Sequence, residues 1–299
     1  MSRVFVTGAT GFVGRHLCEA LAAGGHEVKS LIRPGHPATE ALARVSSPVI
    51  GQLLEPPTYE AAMRGCDAVI HAAGISSAAD PREFETVNTQ GTAAVVDACR
   101  RSGAGRLIFF SSIAVLWPPN AYGESKRRAE ALIARSGVRA TILRPAQIYG
   151  PRDRSGVGRL ISLVRRSPVI LIPGDGRNTM QPVAVADVAR FLLAILKSGQ
   201  GEGQTYALAG PEPVTFIEFV RLVERLLGVR RFHLHVPLAG LRAAVRVQEA
   251  CLGRAALTAD QVNRMAFSTA VDCAPARALG FAPRPLEQRL REALAAGFP

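Results

Sequence analysis

The sequence predicts an α/β protein built on a parallel sheet with helices on both faces. Three observations carry this expectation. Short apolar runs alternate with longer segments of helical period through the first half of the chain. The runs are apolar throughout, as in strands buried on both faces. A glycine-rich turn joins the first run to the first helical segment.

Taken in order, Arg3 to Thr7 is a short strand. Phe12 to Ala23 carries Val13, Leu17, Ala20 and Leu21 at helical spacing, and Gly24-Gly25 stops the helix. Glu27 to Ile32 is a second strand, and Ala68 to Ala72 and Leu107 to Phe110 are further buried strands. Thr89 to Arg101 is the helix between those two. Tyr122 to Ser136 is a helix and Arg139 to Leu143 a strand. The pattern changes at Gly150-Pro151-Arg152-Asp153, a break followed by a helix near Val157 to Arg166. Pro173-Gly174-Asp175-Gly176 is a turn. Val183 to Leu196 reads as a strand-to-helix return to the main sheet, and Thr205 to Leu208 as a late strand. The rest reads as mostly helical and ends with Leu286 to Ala296. The second lobe is therefore interleaved with the first.

A chain of 299 residues suits one large domain plus a smaller lobe. With 48% hydrophobic and 20% charged residues, it can bury a large core and stay soluble. The N-terminus shows no basic, apolar leader. The most apolar later stretch, Pro237 to Gly253, is interrupted by Arg242, Arg246 and Glu249. It is too polar for a bilayer span and reads as an amphipathic or core helix. Cys18, Cys66, Cys99, Cys251 and Cys273 are scattered, odd in number and form no C-x-x-C pair. Reduced, mostly buried thiols and a cytoplasmic location are expected. His233 and His235 have no obvious third ligand, so no metal is expected. The net charge of +12 suits an anionic ligand. Solvated arginine pairs such as Arg100-Arg101, Arg127-Arg128 and Arg230-Arg231 account for most of it. No nucleic-acid motif is present. Neither nucleic acid nor membrane is an expected partner; a small molecule is.

Thr7-Gly8-Ala9-Thr10-Gly11-Phe12-Val13-Gly14 lies between strand and helix. Gly8 allows the tight turn, Gly11 lets backbone approach a pyrophosphate, and Gly14 permits close helix–strand packing. The N–H groups and positive dipole end of the helix that Phe12 and Val13 open then face phosphate. The spacing resembles the TGxxGxxG of the short-chain dehydrogenase/reductase superfamily, which implies a Rossmann-type doubly wound sheet. The second strand ends Leu31-Ile32-Arg33. An acidic residue there would bind the ribose hydroxyls of NAD, whereas Arg33 offers a cation to the 2′-phosphate of NADP. A solvated strand-end arginine is the competing account, so NADP or NAD is expected, with NADP favoured.

Further segments carry the resemblance. Val69-Ile70-His71-Ala72-Ala73-Gly74 is similar to the segment against the cofactor ribose, and implies Ala72, Ala73 and Gly74 there. Val87-Asn88-Thr89-Gln90-Gly91-Thr92 resembles V-N-x-x-G-T at the start of the central helix, implying Asn88. Gly51-Gln52-Leu53 stands where the family usually has G-D-L, whose Asp contacts adenine; Gln52 and Leu53 take that place.

Phe110-Ser111-Ser112-Ile113-Ala114-Val115 ends a strand, and Tyr122-Gly123-Glu124-Ser125-Lys126 opens a helix. Redox chemistry at a secondary alcohol needs an acid/base for the hydroxyl proton. Tyrosine serves poorly at its ordinary pKa of about 10. A lysine four residues on shares its helix face, and its charge favours the phenolate. The resemblance makes Ser112 the hydrogen-bond donor to substrate oxygen, and Tyr122 and Lys126 the catalytic pair. It also implies that Lys126 holds the nicotinamide ribose and that Ser111, Pro145 and Ile148 line the cofactor. Arg144-Pro145-Ala146-Gln147-Ile148-Tyr149-Gly150-Pro151 matches R-P-x-x-x-Y-G-P of the extended, NAD-dependent epimerase/dehydratase branch. Arg277-Ala278-Leu279-Gly280-Phe281-Ala282-Pro283-Arg284 resembles the end of that branch.

The implied division is a dinucleotide-binding domain over 1–150, with return elements near 183–208, and a substrate lobe over 151–299. Three functions fit. A nucleotide-sugar epimerase suits the Ser-Tyr-Lys set, but relatives of that kind usually place an Arg six to seven residues before the Asp of the return helix. Counting back from Asp187 gives Gln181 and Met180, with Arg177 nearby. A reductase or dehydrogenase of a non-sugar ketone suits Arg33 and the missing Arg. A non-catalytic assembly protein suits Gln181-Pro182-Val183, which resembles relatives of a complex I accessory subunit. The intact Ser112, Tyr122 and Lys126 argue against that third function. Sugar dehydration is disfavoured because Ile113 and Ala114 occupy the positions of its Asp-Glu pair. Specificity is expected in Gly150 to Arg177 and Gly210 to Arg264. The resemblance also implies a homodimer paired through the helices around Thr89 and Tyr122.

Overall fold

The computed structural model describes residues 1–241, 243 and 270–298. The chain forms two compact units. The first comprises Met1–Pro145, Val185–Leu208 and Cys273–Ala282. The second comprises Ala146–Ala184, Ala209–Asp272 and Pro283–Pro299.

The chain opens with β1 (Arg3–Thr7), α1 (Phe12–Ala23), β2 (Glu27–Ile32), α2 (Thr39–Leu42) and β3 (Ser47–Ile50). Next come α3 (Glu60–Met63), β4 (Ala68–His71), α4 (Arg82–Phe84) and α5 (Gly91–Ser102). These lead to β5 (Arg106–Phe110), α6 (Ala121–Arg135) and β6 (Ala140–Pro145). The second unit begins with β7 (Ile148–Tyr149), α7 (Gly156–Arg166), β8 (Val169–Pro173), β9 (Thr179–Met180) and β10 (Val183–Ala184). The chain returns to the first unit as α8 (Val185–Ser198) and β11 (Thr205–Leu208). It then adds β12 (Val214–Thr215), α9 (Phe216–Leu227) and β13 (Phe232–Val236) to the second.

The main sheet has seven strands in the order β11-β6-β5-β4-β1-β2-β3. Every neighbouring pair is parallel. Val4, Phe5, Val6, Val69, Ile70, Leu107, Ile108 and Phe109 are fully buried, so covering helices occupy both faces. One cluster packs Phe5, Tyr59, Val69, Val95, Leu107 and Ile133. The strand order reverses between β1 and β4. In a doubly wound sheet, a crevice for a ligand opens there, beyond the carboxyl ends of the strands. The expected doubly wound parallel sheet is the observed one.

Two local expectations need correction. Val183–Ala184 does not rejoin the main sheet; β10 pairs in parallel with β7 as a separate two-stranded sheet. The return to the first unit starts at Val185, with α8 and β11, and Cys273–Ala282 joins it as well. A two-residue strand has too few side chains to encode its partner. The central helix begins earlier than Thr89, in a π-helical stretch over Glu85–Gln90. Beside its helices, the second unit holds three two-stranded sheets among the described residues. Its core packs Tyr149, Ile161, Ile170, Phe219 and Leu290. Cys251, most of Pro237 to Gly253, and the end of the Gly210 to Arg264 segment lie outside the described residues. Among the described residues, no helix is long and apolar enough to cross a membrane.

Candidate active site

The glycine turn sits at the reversal point. Gly8 has φ +74°, and a Cβ there would lie 2.5 Å from the Ala73 nitrogen. Only glycine lets β1 turn this closely against the segment after β4. A Cβ on Gly14 would come within 2.1 Å of the Gly8 carbonyl oxygen, so α1 packs directly on the turn. Gly11 caps α1 with no side-chain hydrogen bond, and the first turn carries no acidic residue. First-turn amides have no intrahelical acceptor, and here no carboxylate competes for them. These residues fit the pyrophosphate of a dinucleotide. Thr10, Phe12 and Val13 are half-buried in this turn.

The next segment is fixed by a buried polar chain. The Thr92 hydroxyl donates to the Asn88 carbonyl at 2.6 Å. Its oxygen is therefore left to accept from His71 Nε2–H at 3.0 Å. That makes Nδ1 of His71 the acceptor for the Thr7 hydroxyl at 2.7 Å. The Ala73 N–H donates in turn to the Thr7 oxygen. Burial, then the Lys126 charge, push the His71 pKa down to about 3, so the ring is neutral. This row ties the strand before the glycine turn to Ala73 on one side and the start of α5 on the other.

Asn88 stands at the buried end of the π-helical stretch. Its Oδ1 accepts from the Ile75 N–H at 2.9 Å. Its Nδ2 donates to the Ile75 carbonyl and to Ser125 Oγ, each at 3.0 Å. Ser125 donates to the Tyr122 carbonyl at 2.8 Å. Asn88 thus clamps the Ala72–Ile75 segment to the first turn of α6.

That turn carries the candidate pair. Asn120 caps α6, its Oδ1 accepting from the Gly123 N–H at 2.8 Å. Tyr122 is half-buried, its ring centroid 5.9 Å from that of Phe84. Lys126 is buried; its Nζ donates to the Phe110 carbonyl at 2.9 Å and lies 4.8 Å from the Phe109 ring centroid. A Cβ built on Gly74 would sit 3.1 Å from this Nζ, so the ammonium abuts the segment after β4. Desolvation pushes the Lys126 pKa down to about 8, against the opposing pull of Glu130.

Ser112 caps the 3₁₀ turn Ile113–Leu116, its Oγ accepting from the Ala114 N–H at 3.1 Å. Its hydroxyl hydrogen is not used by that bond. Arg127 Nε donates to the Val115 carbonyl at 2.7 Å and staples the serine turn to α6. Gly123 lets the two meet: a Cβ there would lie 2.6 Å from the Ala114 carbonyl oxygen.

Ser111 is committed elsewhere, donating to Glu130. Glu130 also receives Arg144 through Nε at 2.9 Å and Nη2 at 2.5 Å. Arg33 lies exposed at the end of β2, in no ion pair among the described residues. Gln52 is exposed, and its Nε2 donates to Glu55 at 3.0 Å. Leu53 packs on Gly91, and its carbonyl accepts from the buried Tyr59 hydroxyl. Pro145 ends β6 in the first unit; Ile148 lies in β7 of the second.

The catalytic and glycine-loop candidates announced themselves by spacing. His71, Glu130 and Asn120 did not. Their only signals were a histidine in an otherwise apolar strand, a carboxylate four residues after Lys126, and a capping residue type before a helix. His233 bonds Glu224 at 2.7 Å and His235 bonds the Gly174 carbonyl at 2.9 Å. Cys18, Cys66, Cys99 and Cys273 are buried free thiols, and burial pushes Cys18 and Cys99 up to about 12.

Residues 4–209 match the NAD dependent epimerase/dehydratase family. The chain is 31% identical over 268 residues to the 4-hydroxy-2-methyl-3-oxo-4-farnesyl-3,4-dihydroquinoline-1-oxide ketoreductase of Stigmatella aurantiaca, covering 83% of this chain and 80% of that one. It is 32% identical over 244 residues to the ceramide reductase of Caulobacter vibrioides, covering 81% and 75%. In fold it is similar to the UDP-glucose 4-epimerase of Thermotoga maritima, with a TM-score of 0.79, 21% identity and 98% of each chain covered. The chain belongs to the NAD dependent epimerase/dehydratase family.

Proposed function

We propose that the chain is an NADP(H)-dependent ketoreductase acting on an apolar, non-sugar ketone. The observation that carries this reading is Gln181. It stands where sugar-nucleotide enzymes usually carry an arginine for the diphosphate, and it is buried. Its Nε2 donates to the Gly210 carbonyl at 2.7 Å and its Oε1 accepts from the Val271 N–H at 3.2 Å. Each end of the amide is tied to backbone, and unlike an arginine it brings no positive charge to a diphosphate. The two relatives above are named as the ketoreductase of a farnesyl-bearing dihydroquinoline oxide and as a ceramide reductase. The sugar-nucleotide reading rests on fold likeness, a weaker support. Exposed Arg33 supports NADP over NAD. Buried thiols support a reducing, cytoplasmic setting.

When bound, a reduced nicotinamide supplies the hydride. Ser112 keeps a hydroxyl hydrogen to donate to the ketone oxygen. Tyr122 gives its phenolic proton to that oxygen as negative charge grows. Lys126, four residues on, holds a buried positive charge that stabilises the resulting phenolate. Ile113 and Ala114 are buried aliphatic residues, so water elimination has no acid or base beside Ser112.

The test is to supply NADPH with a long-chain ketone, and separately NAD with UDP-glucose. NADPH oxidation with the ketone is expected. In Tyr122→Phe, turnover should fall by more than about 1,000-fold, the upper range for general acid–base catalysis, with NADPH affinity nearly unchanged. Interconversion of UDP-sugars without net NAD reduction would overturn the reading.

A further inference from the structure

In the second unit, β8 and β13 pair in parallel, with Phe232 opposite Val169 and Leu234 opposite Leu171. Successive strand residues face opposite sides. Ile170 and Ile172 are fully buried and enter the core. The other side shows Phe232 at 67% exposure, Leu234 at 46%, Leu171 at 45% and Val169 at 37%. Four apolar side chains thus form a two-by-two patch on the outward face, where polar residues normally sit. A contiguous exposed apolar patch marks an interaction surface.

Charge identifies the partner. Arg165 and Arg166 end α7 just before β8, and Arg230 and Arg231 immediately precede β13. Arg231 brings the two pairs together, donating to the Val164 and Arg165 carbonyls, each at 2.7 Å. None of these four forms an ion pair among the described residues, whereas many arginines elsewhere do. The sequence from Arg154 to Gly174, and from Arg225 to Gln248, contains no carboxylate. The surface is therefore apolar with a basic border.

We propose that this face docks onto an anionic lipid surface, with Phe232 and Leu234 entering the boundary between headgroups and acyl chains and the arginines meeting lipid phosphates. Two other occupants fit less well. A second copy meeting this one about a two-fold axis would set the same arginines against each other. The stretch 242–269 carries Arg242, Arg246, Arg254 and Arg264 against Glu249 and Asp260, the same sign as the patch. A single ring, Phe232, among three aliphatic side chains suits acyl chains rather than successive nucleic-acid bases, which stack on several aromatic faces. The expectation of no membrane partner came from the lack of a spanning segment and did not address a peripheral surface.

The experiment is co-sedimentation of the full chain with vesicles of phosphatidylcholine alone, or of phosphatidylcholine with 30% phosphatidylglycerol (about a third anionic, as in a charged leaflet). Binding to the anionic vesicles is expected, at least about tenfold above neutral ones. Leu234→Ser with Phe232→Ser, and separately Arg166→Glu with Arg230→Glu, should each cut it at least about tenfold. All four positions are exposed, so the thermal unfolding midpoint should be little changed in either variant. Three results overturn the proposal: no binding to anionic vesicles, binding indifferent to the Phe232 and Leu234 changes, or a wild-type dimer that these changes convert to monomer. The last would assign the face to a second copy. The readout is independent of turnover, so it stands or falls apart from the ketoreductase reading.

Discussion

Lys126 holds a positive charge on a buried side chain, and the cost appears in its proton affinity. Burial lowers its pKa to about 8, while Glu130, one turn further along α6, pulls it back up. The sign for activity follows. In the proposed ketone reduction the ammonium stabilises the Tyr122 phenolate, so the cation, and the rate with it, is expected to be lost as pH rises through about 8. The expected profile of kcat/KM for reduction is level below about pH 7 and declines above about pH 8. Glu130→Gln removes the group that supports the charge, so its decline should begin at lower pH. A profile that is flat to pH 10 in the wild type would show that Lys126 is not the group titrating. His71 is the opposite case: both ring nitrogens are occupied and the ring stays neutral. Tyr122, Lys126 and Ser112 stand out in the sequence as candidates because the chemistry proposed for them dictates their spacing. His71 and Glu130 were not, because their partners Thr7, Thr92 and Arg144 are distant in sequence and only the folded sheet brings them together.

At the level of elements, the site depends on how closely α6 approaches the turn that begins at Ser112. Gly123 sets that distance. Gly123→Ala would place a methyl carbon 2.6 Å from the Ala114 carbonyl oxygen, and backbone has to move. Displacements near an ångström cost up to about 100-fold in rate. The expected result is a kcat lowered by about 10- to 100-fold, with NADPH affinity little changed because the glycine turn of α1 is untouched. Wild-type kcat in this variant would mean that the serine turn and α6 need no such contact. The strands of the main sheet were readable from their continuous apolar runs, since burial on both faces leaves little choice of residue. β10 was misplaced because two residues carry no period. The π-helical start of the central helix was missed because a register change in backbone hydrogen bonding leaves no mark in apolar spacing.

At the scale of the whole molecule, the division into two units makes cofactor binding testable through stability. The glycine turn, Arg33, Asn88, Tyr122 and Lys126 all belong to the first unit. A ligand that binds only the folded state stabilises what it binds, by about 2.7 kcal/mol at a hundred times its Kd. For a body of this size each kcal/mol raises the midpoint by about 2–4 °C. NADPH should therefore raise the first unit's unfolding transition by roughly 5–10 °C. If the second unit melts separately, its transition should not move; a single shifted transition would mean that the two unfold as one cooperative block. The nucleotide and the residue can then be separated. NADH lacks the 2′-phosphate, so at equal concentration its shift should be smaller, and Arg33→Ser should reduce the NADPH shift to the NADH value. Equal shifts for both nucleotides in the wild type would make Arg33 a solvated strand-end residue and return the choice of cofactor to NAD.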